Sequence, residues 1–97
     1  MSKRLHAIAR ILPYPEHLED ARRAICAIVD RKRAEPGCLE FRVNEHVTEG
    51  SLHLYEEWAD ADALRYHHGQ PYTQHVFRCY EKWLAEPVLL IELTPVA

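Results

Sequence analysis

The chain has 97 residues, of which 47% are hydrophobic and 28% charged, and its formal charge is −3 from 12 basic and 15 acidic side chains. This length predicts one domain over residues 1–97, and the composition excludes a disordered chain. The slightly acidic balance argues against nucleic acid as the main partner. No apolar run reaches the length of a membrane span, and the residues after Met1 do not form a signal peptide, so no membrane association is expected.

The cysteines and the basic runs point to no special chemistry. Cys26, Cys38 and Cys79 are an odd number without a CxxC spacing, which predicts reduced thiols in a cytoplasmic protein. Two short basic runs, Arg22-Arg23 and Arg31-Lys32-Arg33, are more typical of a solvated helix face than of a phosphate-binding surface.

The first third of the chain predicts a strand followed by a helix. Residues 3–12 alternate in part and predict the strand, which Pro13 ends. Pro15 suits the first turn of the helix over residues 15–33, and Pro36-Gly37 ends it. We expect Gly37 to take a positive φ or to lie in a tight turn that a Cβ would resist. The predicted buried stripe of the helix consists of Leu18, Ala21, Ile25, Ile28 and Val29.

The middle of the chain predicts a β-hairpin. Residues 38–45 and 52–58 alternate between apolar and polar side chains, and residues 48–51 have turn composition. Alternation places Leu39, Phe41 and Val43 on one side of the first strand. On the second strand it places Leu52, Leu54, Glu56 and Trp58 on one side and His53, Tyr55 and Glu57 on the other.

The last third predicts two helices and a strand. Asp60 is a suitable N-cap for a short helix over residues 61–68. Pro71 begins a second helix, residues 72–84, and residues 88–93 form a final strand that is apolar on both sides. The predicted buried stripe of the second helix consists of Val76, Tyr80, Trp83 and Leu84.

This order of elements, strand-helix-strand-strand-helix-strand, predicts an α+β fold with a ferredoxin-like antiparallel sheet. Both helices then cover one face of the sheet. Because the last strand is apolar on both sides, its second face also needs cover, and pairing of two sheets in a homodimer is the simplest solution. A pocket between the helices and the sheet of each subunit is compatible with this arrangement.

The segment over residues 54–72 holds the best candidates for a functional site. His67 titrates near neutral pH and is a candidate general base, although a surface histidine bonded to backbone or water is the alternative. Glu56 lies on an apolar strand face and needs a partner. It either orients His67 or forms a structural pair with Arg42, with Arg10 or with a backbone amide.

The aromatic residues nearby are candidates for substrate binding. Trp58, at a strand end, can form a pocket wall with its N–H free for a substrate oxygen. Tyr55, Tyr66 and Tyr72 can donate to a carbonyl or enolate oxygen, while amphipathic packing is the alternative for each of them. Phe41 is a further candidate for substrate binding, and for it core packing is the favoured alternative.

No resident metal or nucleotide cofactor is predicted. The neighbouring His67 and His68 have no metal-ligand spacing with His75, because Gly69 and Pro71 interrupt the segment. On a helix, His68 is rotated by about 100° from His67, so we expect it to face solvent. There is no glycine-rich phosphate loop.

Three segments make the chain resemble the antibiotic biosynthesis monooxygenase family of dimeric α+β barrels. They are residues 35–41, residues 56–58 with the pattern Glu-x-aromatic, and residues 63–72, in which His67 precedes Pro71-Tyr72. The family often has histidine where this chain has Tyr72. The heme-degrading branch of the superfamily uses an asparagine on its first strand, and no asparagine is present there, so heme is not expected.

The resemblance implies a cofactor-independent monooxygenase that acts with O₂ on a small hydroxylated aromatic, quinol or polyketide-type substrate. It implies that His67 is the base, that Glu56 orients it, and that Trp58 and Tyr72 form the wall and a donor. Two alternatives stay open: an isomerase of a small keto-enol metabolite, of the type that processes a quorum signal, and a non-catalytic dimer that binds a small molecule.

Overall fold

The computed structural model of the chain describes residues 3–97, which contain four strands in one antiparallel sheet with helices on one face. The elements in chain order are β1 (Leu5–Ile11), a short 3-10 helix (Pro15–His17), α1 (Leu18–Ala27), α2 (Val29–Arg33), β2 (Cys38–Glu45), β3 (Leu52–Trp58), α3 (Ala61–His68), α4 (Pro71–Trp83) and β4 (Leu89–Leu93). The strand order is β2-β3-β1-β4, so the predicted ferredoxin-like arrangement is confirmed.

The side chains of alternate strand residues form the core beneath the helices. On β1 these are Ala7, Ala9 and Ile11, and on β3 they are the even-numbered residues from Leu52 to Trp58. Direct pairing across the sheet places Glu56 between Ala7 and Phe41, on the face that the helices cover. Because β1 contributes short alanine side chains, the sheet leaves space under the helical layer.

The predicted first helix is interrupted. Residues 15–33 form a 3-10 turn, α1 and α2 instead of one continuous helix, and Ile28 at the junction has φ −106° and ψ 1°. Ile28 and Val29 are β-branched, and such residues lose side-chain freedom in a helix. Both still pack against the core, so the interruption does not remove either side chain from it.

The predicted orientation of Leu39 is wrong because β2 contains an irregularity. Cys38 pairs with Trp58 and Glu40 with Glu57, so one extra residue of β2 lies between these pairs. Simple alternation therefore fails at the start of β2: Leu39 is 45% exposed, while Phe41 is buried.

Glycine supports the fold at two positions for different reasons. Gly50, in the β2–β3 turn, has φ +76°, and it is the one positive-φ residue within residues 3–97. Of the two alternatives expected for Gly37, the positive φ is not observed. The expected resistance to a Cβ is nevertheless present, because a Cβ on Gly37 would overlap the Cβ of Ala63 on α3.

The sheet face opposite the helices carries an apolar strip at its β4 edge. Leu89, Ile91 and Leu93 pair with alternate residues of β1 on this face, and all three are exposed in the single chain. Within residues 3–97, no helix is both long and apolar enough to cross a membrane.

Candidate functional site

A cavity of about 320 Å³ lies between the sheet and the helical layer. Its volume is in the range of small-molecule sites, and most of its lining is apolar with a few polar groups, as is usual for such sites. The apolar lining residues are Ala9, Ile11, Ile25, Ile28, Phe41, Leu54, Val76, Phe77, Val88 and Leu90, and the others are Lys32, Glu56, His67, His68, Thr73 and Tyr80.

His67 reaches the cavity because α3 begins directly after β3. The Asp60 side chain accepts a hydrogen bond from the backbone N–H of Ala63 at 2.8 Å, which confirms the predicted N-cap. From this start, Leu64 and His67 are three residues apart and point into the protein, where both are buried. The imidazole stacks on the Trp58 indole, with ring centroids 5.0 Å apart.

The partner of His67 is Glu35, which precedes β2. His67 Nδ1 lies 2.6 Å from Glu35 Oε2. His67 Nε2 has no hydrogen-bond partner within residues 3–97, and the ring lines the cavity. Burial and the nearby Lys32 ammonium lower the pKa of His67, while the bond to Glu35 opposes that shift. A neutral imidazole with a free Nε2 can accept a proton.

Glu35 holds a small network on the far side of the imidazole. The Tyr72 hydroxyl donates to the same Oε2 that contacts His67. Thr73 Oγ1 lies 3.4 Å from His67 Nδ1. Burial and the contact with Glu35 raise the pKa of the Tyr72 hydroxyl, so Tyr72 remains a neutral donor at physiological pH. The network fixes the orientation of the His67 imidazole, which is the candidate base.

Glu56 pairs with Lys32, and not with the predicted partners. Its Oε2 lies 2.9 Å from Lys32 Nζ, and its Oε1 accepts the Trp58 indole N–H at 2.9 Å. The predicted alternatives, Arg42 and Arg10, form ion pairs with other glutamates, Glu40 for Arg42 and Glu49 and Glu86 for Arg10. The carboxylate of Glu56 is therefore satisfied on both oxygens, and the predicted contact with His67 is replaced by the contact from Glu35.

Lys32 is buried, which corrects the prediction that residues 31–33 form a solvated face. It is 3% exposed, and its ammonium lies 3.7 Å from the centroid of the Phe41 ring. Burial lowers its pKa, and the neighbouring Glu56 carboxylate opposes that shift. The helix spacing places Lys32 in line with Ile25 and Ile28, so it continues the buried stripe of the two helices.

The predicted substrate-binding residues are only partly brought together. Phe41 lines the cavity. Trp58 is fully buried behind His67, and its N–H is bonded to Glu56, so the free N–H expected of a pocket wall is absent. Tyr72 lies behind the imidazole, bonded to Glu35.

The other two predicted tyrosines lie away from the cavity. Tyr55 is on the opposite face of the sheet, where its hydroxyl contacts His6 and Glu57. Tyr66 is on α3 and is 62% exposed.

Sequence reasoning missed four residues at the cavity or its base: Lys32, Glu35, His68 and Thr73. His68 was expected to face solvent but lines the cavity, in edge contact with the Phe77 ring. The position of Lys32 in the helical stripe was a usable signal. No comparable signal identifies Glu35, because its contact with His67 spans 32 residues of chain.

The polar groups of the cavity are suited to proton transfer. Within residues 3–97, no group of three or more His, Cys, Asp or Glu side chains is placed to hold a metal ion. The cavity instead combines an imidazole acceptor, a buried ammonium–carboxylate pair and apolar walls. Such a site can bind a flat hydroxylated molecule and stabilise its anion.

Sequence comparisons relate the chain to a known family. Residues 4–79 match the sequence profile of the antibiotic biosynthesis monooxygenase family. Rv0793 of Mycobacterium tuberculosis, a protein named provisionally as a monooxygenase, is 29% identical over 96 residues, which are 99% of this chain and 95% of that protein.

Solved structures extend the comparison to the fold. The structure of Rv0793 has a TM-score of 0.92 over 97% of this chain and 96% of its own. PA3566 from Pseudomonas aeruginosa is 31% identical, with a TM-score of 0.92 over 100% of this chain and 98% of its own. A Caulobacter crescentus protein, provisionally described as an antibiotic biosynthesis monooxygenase, is 22% identical and shares the fold, with a TM-score of 0.89 over 99% of this chain and 92% of its own.

Proposed function

The chain belongs to the antibiotic biosynthesis monooxygenase family, and we propose that it oxidises a small hydroxylated aromatic, quinol or polyketide-type compound with O₂ and without a cofactor. One observation carries the proposal: a buried histidine lines an apolar cavity and is held there by a carboxylate. His67 Nδ1 is bonded to Glu35, and the ring faces the cavity.

In the proposed reaction, His67 is the general base. Its Nε2 accepts the proton of a substrate hydroxyl, and Nδ1 donates to Glu35 throughout. As the imidazole becomes positively charged, the Glu35 carboxylate stabilises it, and Glu35 also orients the ring, which is the role that was predicted for Glu56. The stacked Trp58 ring keeps the imidazole from rotating away from the substrate.

The substrate anion then reacts with O₂. A ring carbon that is electron-rich in the anion supplies the two electrons of a new C–O bond, and the terminal peroxide oxygen takes a proton. Loss of the hydrogen on that carbon breaks the O–O bond, leaving a carbonyl on the ring and releasing water. The apolar walls, among them Ile11, Leu54 and Val76, keep bulk water away from the anion.

The test is oxygen uptake by the pure protein with a panel of hydroquinones, naphthohydroquinones and anthrones, without added flavin or metal. We expect uptake with at least one of them, and a turnover reduced by about 10²-fold or more in His67→Ala. His75→Ala is the matched control, because His75 is exposed on α4, and it should keep full turnover.

Three results would contradict the proposal. Full turnover in His67→Ala would show that His67 is not the base. Conversion of a keto-enol substrate without oxygen uptake would indicate an isomerase. Tight binding of these compounds without any conversion would indicate a binding protein.

A further inference from the structure

The polar lining of the cavity includes His67, the first pole, and the Lys32–Glu56 ion pair, the second pole. The proposed proton transfer does not use the second pole. Lys32 comes from α2 and Glu56 from β3, and both line the cavity together with His67. Lys32 and Glu56 are 3% and 4% exposed. A buried ion pair is costly to desolvate and contributes little net stability, so its position against a cavity calls for a role.

The hydrogen bonds of this pair leave the ammonium with spare capacity. A lysine ammonium has three donors, and Lys32 Nζ has one hydrogen-bond acceptor within residues 3–97, Glu56 Oε2 at 2.9 Å. The face of the Phe41 ring, 3.7 Å away, receives the cation on another side. Glu56 is the acceptor of the pair, with one hydrogen bond on each oxygen, from Trp58 and from Lys32. The pair therefore offers a ligand the free donors of the Lys32 ammonium.

The two poles have different carboxylate partners, Glu35 for His67 and Glu56 for Lys32. The Trp58 ring stacks on His67, and its N–H donates to Glu56, so the indole contacts both groups from outside the cavity. One ligand in the cavity can therefore present a hydroxyl to His67 and a second oxygen to Lys32. A positive charge in apolar surroundings stabilises a nearby anion more strongly than it would in water.

We infer that Lys32 is the anion-stabilising catalytic residue of the cavity, and that it selects substrates in which a carbonyl is conjugated with the ionising hydroxyl. The inference rests on the proposed function, since it assumes His67 as the base. When the O–H bond breaks, its proton goes to His67 Nε2. The electron pair is then delocalised through the ring onto the carbonyl oxygen, which accepts a hydrogen bond from Lys32. Without this conjugation, the anion keeps its negative charge away from the carbonyl oxygen, and so away from the ammonium.

Two isomeric probes separate these cases without any oxidation. In 4-hydroxyacetophenone the hydroxyl is conjugated with the carbonyl, and in 3-hydroxyacetophenone it is not, while size and polarity are matched. Both have one ring, and a cavity of roughly 150 Å³ is enough for benzene, so the cavity of about 320 Å³ has room for either. The ultraviolet absorbance of the phenolate, followed in a pH titration, gives the ionisation constant of the bound probe.

On the unaltered protein, we expect the ionisation constant of the 4-isomer to rise at least tenfold on binding, and that of the 3-isomer to rise much less. The larger rise in ionisation constant for the 4-isomer is its advantage over the 3-isomer. This advantage should disappear in Lys32→Met/Glu56→Gln, which removes both charges together and keeps an acceptor for Trp58. Lys32→Arg should keep part of it. Lys82→Met, which removes an exposed lysine of α4, should keep all of it.

Equal responses of the two isomers on the unaltered protein would overturn the inference, and so would failure of both to bind. An unchanged advantage in a folded Lys32→Met/Glu56→Gln protein would overturn it as well. Because the comparison of isomers needs no variant, it decides the question even if the double variant does not fold. Oxygen uptake that persists while the isomers respond equally would leave the proposed function standing and this inference refuted.

Discussion

His67 combines two properties that a general base needs in this setting. Burial and Lys32 favour its neutral form, so the ring can accept a proton at neutral pH. The carboxylate of Glu35 then stabilises the charged form that results. Neither property depends on Tyr72 being a histidine, because the Tyr72 hydroxyl serves as a donor to Glu35.

Replacement of Glu35 should change the pH profile in a definite direction. The bond to Glu35 raises the pKa of His67 against the effect of burial, so Glu35→Gln should lower this pKa further. His67 acts as a base only when neutral, and the rate falls as the pH drops through its pKa. We therefore expect the acidic limb of the kcat/KM profile to move to lower pH, with a lower maximal rate.

Tyr72→Phe is the matched control for this experiment. It removes a hydrogen bond to Glu35 but leaves the carboxylate charge, so the acidic limb should move much less than in Glu35→Gln. An acidic limb that moves to higher pH in Glu35→Gln, or stays in place, would show that Glu35 does not stabilise the charged imidazole.

At the level of elements, the close approach of α3 to the start of β2 positions His67. The backbone N–H of Ala59 donates to the Gly37 carbonyl at 2.9 Å, and Ala63 on α3 packs directly against Gly37. Glu35, two residues before Gly37, meets His67, one turn of helix after Ala63. The contact between a glycine and an alanine thus fixes the separation of base and carboxylate.

Gly37→Ala should lower the free energy of unfolding by about 1–3 kcal/mol, because its methyl group would overlap the Cβ of Ala63. Gly37→Ala combined with Ala63→Gly should recover part of the loss by removing the overlapping atom. The second change costs up to about 1 kcal/mol in helix propensity, so recovery will be incomplete. Urea unfolding of the two single variants and the double variant measures the coupling.

An additive effect of the two changes would contradict the steric explanation. Gly37→Ala with unchanged stability would contradict it directly. In either case the glycine would have to be explained by something other than the approach of α3.

At the level of the whole molecule, the sheet face opposite the helices exposes apolar side chains. Leu89, Ile91 and Leu93 form its apolar strip, and the polar cluster of His6, Tyr55 and Glu57 lies beside it. We propose that two copies of the chain pair through this face. A stable interface should bury at least roughly 1,000 Å² in total.

Ile91→Glu should therefore convert a dimer to a monomer in light scattering at micromolar concentration, because it would bury an unpaired charge in the interface. Val47→Glu is the matched control: Val47 is 95% exposed in the turn between β2 and β3, and its replacement should leave the dimer intact. A monomeric unaltered protein, or a dimer that withstands Ile91→Glu, would contradict the proposal.

The sequence by itself determined the order of the elements and most of their faces. Local periodicity, proline and glycine positions and the Asp60 cap are short-range signals, and they predicted four strands, the hairpin and α3. The same signals identified His67 and Glu56 as candidates. They did not predict the interruption after Ala27, where β-branched residues follow, or the irregularity in β2, where the pairing with β3 shifts by one residue.

Only the tertiary structure decided which charges meet. His67 pairs with Glu35 across 32 residues of chain, and Glu56 pairs with Lys32 across 24. The sequence offered several arginines and glutamates as partners, and local patterns cannot rank them, because such contacts depend on how the helices fold back over the sheet. The cavity has the same origin: its walls come from both ends of the chain, and only their packing defines the space between them.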